Sequence, residues 1–446
     1  MSEVPASPLK PRSELAALWA LALPLALAQA GQALMGMVDT AVLGRLSAAA
    51  QAGAGLGNSL TFTCTFFGMG VMLALDPLVS QAVGAGEHAK ARTHYWQGVW
   101  LALLTSVLVM IPVTLIPFVL EPCGVPESIA SGARVYMWWR LPGVAGVLLF
   151  VGAKSYLTGV NRVAITLIAM VVANIANLAL DVVLVFGLGP IPALGVPGAA
   201  IATVLCTWLQ FGVLLFGFGE PPAGRSRKFD KNEVLRAFKI GAPIGLHFIA
   251  ESGLFSLTGV LAGRLGEAPG AAHQVALNWA SFTFCVAVGI GSAAATRVGW
   301  AIGRGDSLGA RSAGLTAFGS VVVFMSFGAA VFMLFPHAMA RVMSTDAAVI
   351  DTVAALFVIV AFFQISDGVQ AVGAGALRGT GDTTFTFWAN IIGHWGVGLP
   401  VAWLLGVRGS YGIIGLWWGL FAGLSVVALA LLVRFWVSTR GTIARV

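Results

Sequence analysis

The chain has 446 residues, of which 58% are hydrophobic and only 10% charged, with a formal net charge of +7. A soluble protein averages about 25% charged residues, so the composition excludes a soluble globular domain and leaves an integral membrane protein. With no separate polar domain, the positive balance reports loop charges and gives no reason to expect nucleic acid as a partner.

The head, residues 1–14 (MSEVPASPLKPRSE), is polar and Pro-rich. It reads as a cytoplasmic tail. The apolar run behind it is too long for the h-region of a cleavable signal peptide. Twelve apolar runs follow, near 15–44, 48–82, 93–119, 132–157, 163–188, 193–219, 240–263, 270–303, 312–336, 347–377, 383–407 and 410–433. Each is long enough to cross a bilayer core of about 30 Å as a helix. The predicted fold class is therefore an all-α membrane protein of twelve transmembrane helices.

The chain also repeats itself. LGRL (43–46) returns as AGRL (262–265), AVGAGE (82–87) as AIGRGD (301–306), and Pro24 as Pro243, all with an offset of 219 residues (243 − 24). Six helices per copy is an even number, so the two copies keep the same orientation and are related by a pseudo-twofold axis along the membrane normal. The expected organisation is an N-lobe at 15–218, a cytoplasmic linker at 219–239, a C-lobe at 240–437 and a cytoplasmic tail at 438–446. With the N-terminus inside, 19 of the 25 basic residues fall on the inner side, among them Lys154 and Arg378. This asymmetry places both termini in the cytoplasm and the protein in the inner membrane.

The first run carries Pro24 and then Asp39, with no charge between Glu14 and Asp39. An ionisable group inside a spanning helix is expensive, which makes Asp39 a functional candidate. Pro24 and its mate Pro243 remove a backbone hydrogen bond from the first and seventh helices and are candidate sites of bending. The second run carries Ser59 and, near its inner end, Asp76, which reads as an interfacial or ion-paired residue. The fifth run is uncharged from Arg162 to Asp181, and Asn174, Asn177 and Asp181 share one helical face. Asp39 and Asp181 both fall in the outer half of the membrane in the same lobe. Two acids at matched depth suit one shared cation or one shared proton.

The second copy has a different acidic pair, Glu251 in the seventh run and Asp367 in the tenth. The repeat mates of these acids are Gln32 and Leu148, so the lobes share architecture without sharing chemistry. Around the pair the sequence places His247 and Phe255 on the Glu251 stripe, Phe363, Gln364 and Gln370 beside Asp367, and His273, Gln274, Asn278 and Trp279 in the eighth run. Carboxylates beside aromatic faces in an apolar cavity suit organic cations. The histidines alone read as packing residues. Cys64, Cys123, Cys206 and Cys285 lack any CxxC spacing and read as packing thiols, with no metal or disulfide implied. None of the six lysines follows a glycine, which excludes a Walker A motif, and no HExxH occurs. No enzymatic activity and no cofactor are expected.

At MVDTAVLG (37–44), LVSQAVGAGE (78–87), NIANLALD (174–181), GVPGAAIAT (195–203), ESGLF (251–255), AAHQVALN (271–278) and DGVQAVGAGALRGTGDT (367–383), the chain resembles the multidrug and toxic compound extrusion (MATE) family over essentially its whole length. The pairing of Glu251 with Asp367 resembles the NorM-type branch. The resemblance implies a secondary antiporter that exports organic cations in exchange for Na⁺ or H⁺ by alternating access. It implies a coupling site at Asp39, Asn177, Asp181, Ala199 (by its carbonyl) and Thr203, with Na⁺ held by Asp39, Asn177, Asp181 and Thr203. It also implies a C-lobe cation or substrate site at Glu251, Asp367 and Phe363, lined by Ser59, Phe255, Gln274, Asn278 and Gln364. NorM-type members carry a Tyr where this chain has Phe363, so the aromatic face is kept and the hydroxyl lost. Expected partners are membrane lipids and small organic cations, with the chain acting as a monomer. A lipid-linked precursor flippase is the alternative, but it would want a cationic cavity, and here the intramembrane charges are mostly acidic.

Overall fold

The computed structural model describes residues 13–188, 190–218, 227–441 and 443–446, without the side chains of Thr40, Ala48 and Ala49. The tail expected at 1–14 therefore lies almost wholly outside the described residues, as does 219–226 of the expected linker. Twelve helices are long and apolar enough to cross a membrane. The first six are α1 (Glu14–Gly44), α2 (Ala50–Gly84), α3 (His88–Leu120), α4 (Glu127–Gly159), α5 (Ala164–Phe186) and α6 (Val196–Phe216). The second six are α7 (Lys231–Arg264), α8 (Glu267–Gly303), α9 (Ser307–Leu334), α10 (Ala347–Thr380), α11 (Thr383–Arg408) and α12 (Gly412–Ser438). They match the twelve expected runs one for one.

Local chemistry sets several ends. The Ser13 hydroxyl caps α1 by accepting from the Ala16 amide at 3.3 Å. The Asp230 carboxylate caps α7 by accepting from the amides of Asn232 and Glu233. Residues 231–239, read as linker from the sequence, are therefore the opening turns of α7. Two interruptions were not legible in the apolar runs. A turn at Leu73 and Ala74 breaks α2 just before Asp76. Ile391–Gly398 and Trp403–Arg408 of α11 are wound as π-helix, a form found mostly as local defects near functional sites. Pro24 and Pro243 lie inside α1 and α7, and both helices run through them without interruption.

The first six helices pack as one lobe around α4, and the second six as another around α10. Outward-facing side chains stay apolar, as Leu104, Val107 and Ile111 do along α3, because lipid takes the place of water there. The lobes meet through a twofold exchange. Helix α1 packs on α8, and its repeat mate α7 packs on α2, the mate of α8. The contact repeats at the level of single glycines. A Cβ on Gly70 would lie 2.5 Å from the Gly245 backbone, and one on Gly289 would lie 2.7 Å from Ala26. The offset of 219 carries the first pair onto the second. Small residues let the backbones approach this closely, which is how membrane helices associate without a hydrophobic driving force between them.

The interface is confined to one face. Gly84 meets the Trp300 backbone, and Gly303 meets the carbonyl of Gln81. Trp300 Nε1 donates to the Gly159 carbonyl at 2.7 Å, and Gln81 Nε2 donates to the Gly379 carbonyl at 3.0 Å. Arg297 donates to Glu14 Oε1 at 2.6 Å, and Arg378 Nε to Asp76 Oδ2 at 2.9 Å. The close glycine approaches reach Ala26 on α1 and Gly245 on α7. The lobes are shut on the face that carries the α2–α3 and α8–α9 links.

Candidate functional site

The acid at Asp39 lies five residues before the end of α1 (44 − 39), and Asp181 five before the end of α5 (186 − 181). The two helices run the same way, so equal spacing gives equal depth. Both lie toward the end of the N-lobe opposite the shut face. Asp39, Asn177, Asp181 and Thr203 are 5%, 0%, 0% and 6% exposed, so all four are buried.

Asn177 Nδ2 donates to Asp39 Oδ1 at 2.9 Å. Thr203 Oγ1 lies 3.1 Å from Asp39 Oδ2 and 2.9 Å from the Ala199 carbonyl. A hydroxyl has one proton to give, so Thr203 donates either to the acid or back into its own helix. When it donates to Ala199, its lone pairs turn toward Asp39 as a neutral oxygen ligand. Asp181 is within electrostatic reach of Asp39, and neither of its oxygens has a hydrogen-bond partner, nor does Asn177 Oδ1. Buried oxygens without donors carry a large desolvation penalty. Three such oxygens next to a second carboxylate are a set that a cation or proton would satisfy. The set contains only two acids, and no group of three or more His, Cys, Asp or Glu able to hold a metal occurs among the described residues.

Sequence reading missed Tyr136 of α4, which is 1% exposed and interacts with Thr203, Asp39 and Asp181. Its hydroxyl lies 3.4 Å from Asn58 Oδ1 of α2. The available signal was a phenol inside an apolar span, in a chain with only four tyrosines. Asn174 shares the helical face of the site but is spent elsewhere, donating to the Gly31 carbonyl at 3.1 Å and tying α5 to α1.

In the C-lobe, α7, α10 and α11 bring together a chain of four polar side chains. His247 Nε2 lies 3.1 Å from Glu251 Oε2. Gln370 Nε2 donates to Glu251 Oε1 at 2.6 Å, and Gln370 Oε1 lies 3.3 Å from His394 Nε2. Asp367 is buried beside them, near enough to interact with Glu251. His394, which lies in the π-helical part of α11, had no signal in the sequence pattern. His247 departs from the packing role expected of it by holding Glu251 directly.

Two expected C-lobe residues, the lining residue Gln364 and the site residue Phe363, are enclosed by protein. Gln364 is fully enclosed, donating to the Met325 carbonyl at 3.1 Å and accepting from Thr283 Oγ1 at 3.1 Å. It ties α10 to α9 and α8 and has no surface left for a bound molecule. Phe363 is 2% exposed and packs edge-on against Trp417 at 5.3 Å, with Phe255 at 6.3 Å. Its ring face is occupied by neighbours in this conformation. Phe255 is half-buried, whereas Ser59, Gln274 and Asn278 keep exposed surface. Gln274 Nε2 donates to Asn278 Oδ1 at 3.3 Å.

Lys154 and Arg378, counted from the sequence as inner loop charges, are not in loops. Both sit within spans, α4 and α10, and Arg378 is 8% exposed with its partner Asp76 buried beside it. The ion pair expected for Asp76 is present, and it joins the lobes.

Comparison with known proteins follows this geometry closely. The family model MatE matches the sequence twice, at residues 24–183 and 243–404, and the two matches begin 219 residues apart (243 − 24). The sequence is 35% identical over 437 residues to the multidrug resistance protein NorM of Burkholderia vietnamiensis, covering 95% of this chain and 94% of that protein. It is 36% identical over 427 residues to a probable multidrug resistance protein NorM of Bradyrhizobium diazoefficiens, covering 93% and 91%. Among solved structures, the eukaryotic MATE transporter AtDTX14 superposes with a TM-score of 0.86 at 23% identity, over 94% of this chain and 95% of that one. A multidrug resistance MATE family transporter of the MOP superfamily, in an outward-facing conformation, gives 0.86 at 19% identity over 96% of each. At these identities the structural likeness establishes the fold.

Proposed function

Because the chain belongs to the MatE family, we propose that it is a multidrug efflux transporter that exports organic cations in exchange for Na⁺ or H⁺. One observation carries the exchange. Asp181 is fully buried with neither oxygen bonded, next to an Asp39 already held by Asn177 and Thr203. That arrangement is poorly satisfied until a positive charge enters it. Arrival of a cation neutralises the repulsion and draws α1, α5 and α6 together at their outer ends. The space between these helices then contracts, and a bound organic cation loses its place. Exchange follows because one lobe conformation cannot suit both ligands.

The shut face carries the basic links, so the positive-inside asymmetry makes it the cytoplasmic one. On this reading the conformation is outward-open, both termini are cytoplasmic, and the protein works as a monomer in the inner membrane. Glu251 and Asp367 give the C-lobe a second acidic centre for the cationic substrate or for the ion. The flippase alternative is disfavoured at this site, since the unpartnered buried atoms next to Asp39, on Asn177 and Asp181, are acceptors and would repel a pyrophosphate.

The test is transport by the purified protein in proteoliposomes under separately imposed Na⁺ and pH gradients. Uptake of a fluorescent organic cation should follow at least one gradient and stop when it is collapsed. Uptake indifferent to both would overturn the antiport reading.

A further inference from the structure

We propose that the buried Asp76–Arg378 ion pair is the closed gate of a polar path through the C-lobe that ends at Glu251, and that it keeps the coupling cation from slipping through while the opposite face is open. The inference rests on the transport reading above and adds a path and a guard to it.

The path is visible as a succession of side chains. At the lobe interface, Arg378 Nε donates to Asp76 Oδ2 at 2.9 Å. The same arginine lines a cavity of about 20 Å³ together with His247, Thr383 and Thr386. That volume has room for about one water. His247 Nδ1 is buried and has no hydrogen-bond partner in the protein, so this donor or acceptor belongs to whatever occupies the space beside it. The other ring nitrogen, Nε2, contacts Glu251 at 3.1 Å. From Glu251 the contacts continue through Gln370 to His394. A succession of polar side chains thus runs from the lobe interface to the acid, with Ile244, Phe248 and Ala374 forming the apolar part of the cavity wall.

A guanidinium on such a path repels a cation and stays charged under all ordinary conditions; fixed arginines exclude cations from pores by the same means. What fixes this one is an acid on the other lobe. The arrangement thus ties the guard to conformation. While the lobes are shut on this face, Asp76 holds the guanidinium beside the cavity. When they part, Asp76 leaves with α2, and Arg378 is released toward the water that enters. Lys154, on α4 of the same lobe as Asp76, is near enough to interact with both members of the pair.

The test uses the full-length protein, with Cys123→Ser to remove an exposed thiol, reconstituted without drug. Thr386→Cys reports access to the cavity through its reaction with a small cationic thiol reagent applied on the shut face. Proton and Na⁺ leaks are followed under separate gradients. Adding Asp76→Asn should raise both the labelling rate and at least one leak by about tenfold or more, since it removes one partner of a buried pair. Asp76→Glu, which keeps the pair, should stay near the parent on both readouts and covers the case in which the Asn variant misfolds. A folded Asp76→Asn protein with parental labelling and leak overturns the gate, as does an Asp76→Glu protein that leaks like an open one. Neither result touches the transport reading, which fails only if the parent chain shows no gradient-driven export.

Discussion

Asn177 donates to Asp39 at 2.9 Å, and that bond does two jobs. It ties α5 to α1 at the depth of the acids. It also gives Asp39 a donor that Asp181, one turn further along the same helix, does not share, since neither oxygen of Asp181 has a hydrogen-bond partner. The site is assembled in order to be incomplete.

Removing a neutral ligand should weaken cation binding without abolishing it. Asn177→Ala and Thr203→Val are each expected to raise the coupling-ion concentration for half-maximal export by about tenfold, the effect of losing one hydrogen bond to a charged group. Asp39→Asn should abolish gradient-driven export. Export rates measured across an Na⁺ and a pH series decide this. A Thr203→Val protein with the parental ion dependence would take the hydroxyl out of the site.

Incompleteness also predicts a stability signature. A ligand that binds only the native state raises its melting temperature, so the coupling cation should stabilise the detergent-solubilised protein. Asp181→Asn replaces an unpartnered buried charge with a neutral isostere. It should melt at least as high as the parent without the ion and gain nothing when the ion is added. Thermal melts with and without Na⁺, at two pH values, test this. An Asp181→Asn protein that still gains the parental increment would place the ion elsewhere.

The C-lobe acids should be functional without being structural. Glu251→Gln and Asp367→Asn are isosteric, so both variants should insert and fold. Both should export monovalent organic cations several-fold more slowly. Gln370→Ala should resemble Glu251→Gln, because it removes the 2.6 Å bond that orients the Glu251 carboxylate. Parental export by all three at normal expression would reduce this chain to packing.

At Gly84 and Gly303 the shut face has no room for a side chain. Gly84→Val would drive a branched side chain into the Trp300 backbone, which belongs to the other lobe and cannot yield as a flexible side chain would. The substitution should wedge the lobes apart and favour the conformer open on this face. Spin labels at Glu87→Cys and Arg304→Cys would report a longer separation than in the parent. An unchanged distance distribution would mean the interface accommodates the bulk by other means.

By itself the sequence determined the number of spans, their repeat and the identity of the N-lobe acids, because these are local or periodic properties. A span is set by length and apolarity, the repeat by a constant offset from Pro24 to Pro243, and the face shared by Asn177 and Asp181 by helical spacing. The tertiary structure decided which polar groups meet. Tyr136 comes to the site from α4, His394 reaches Gln370 from a π-helical stretch, and Arg378 crosses between lobes to Asp76, more than 300 positions away (378 − 76). It also withdrew Gln364 and Phe363 from the cavity by burying them. The physical reason is that hydrophobic pattern fixes only which side of a helix faces protein. Which neighbour that side meets, and whether a donor is left over for a given acid, depends on how twelve helices pack.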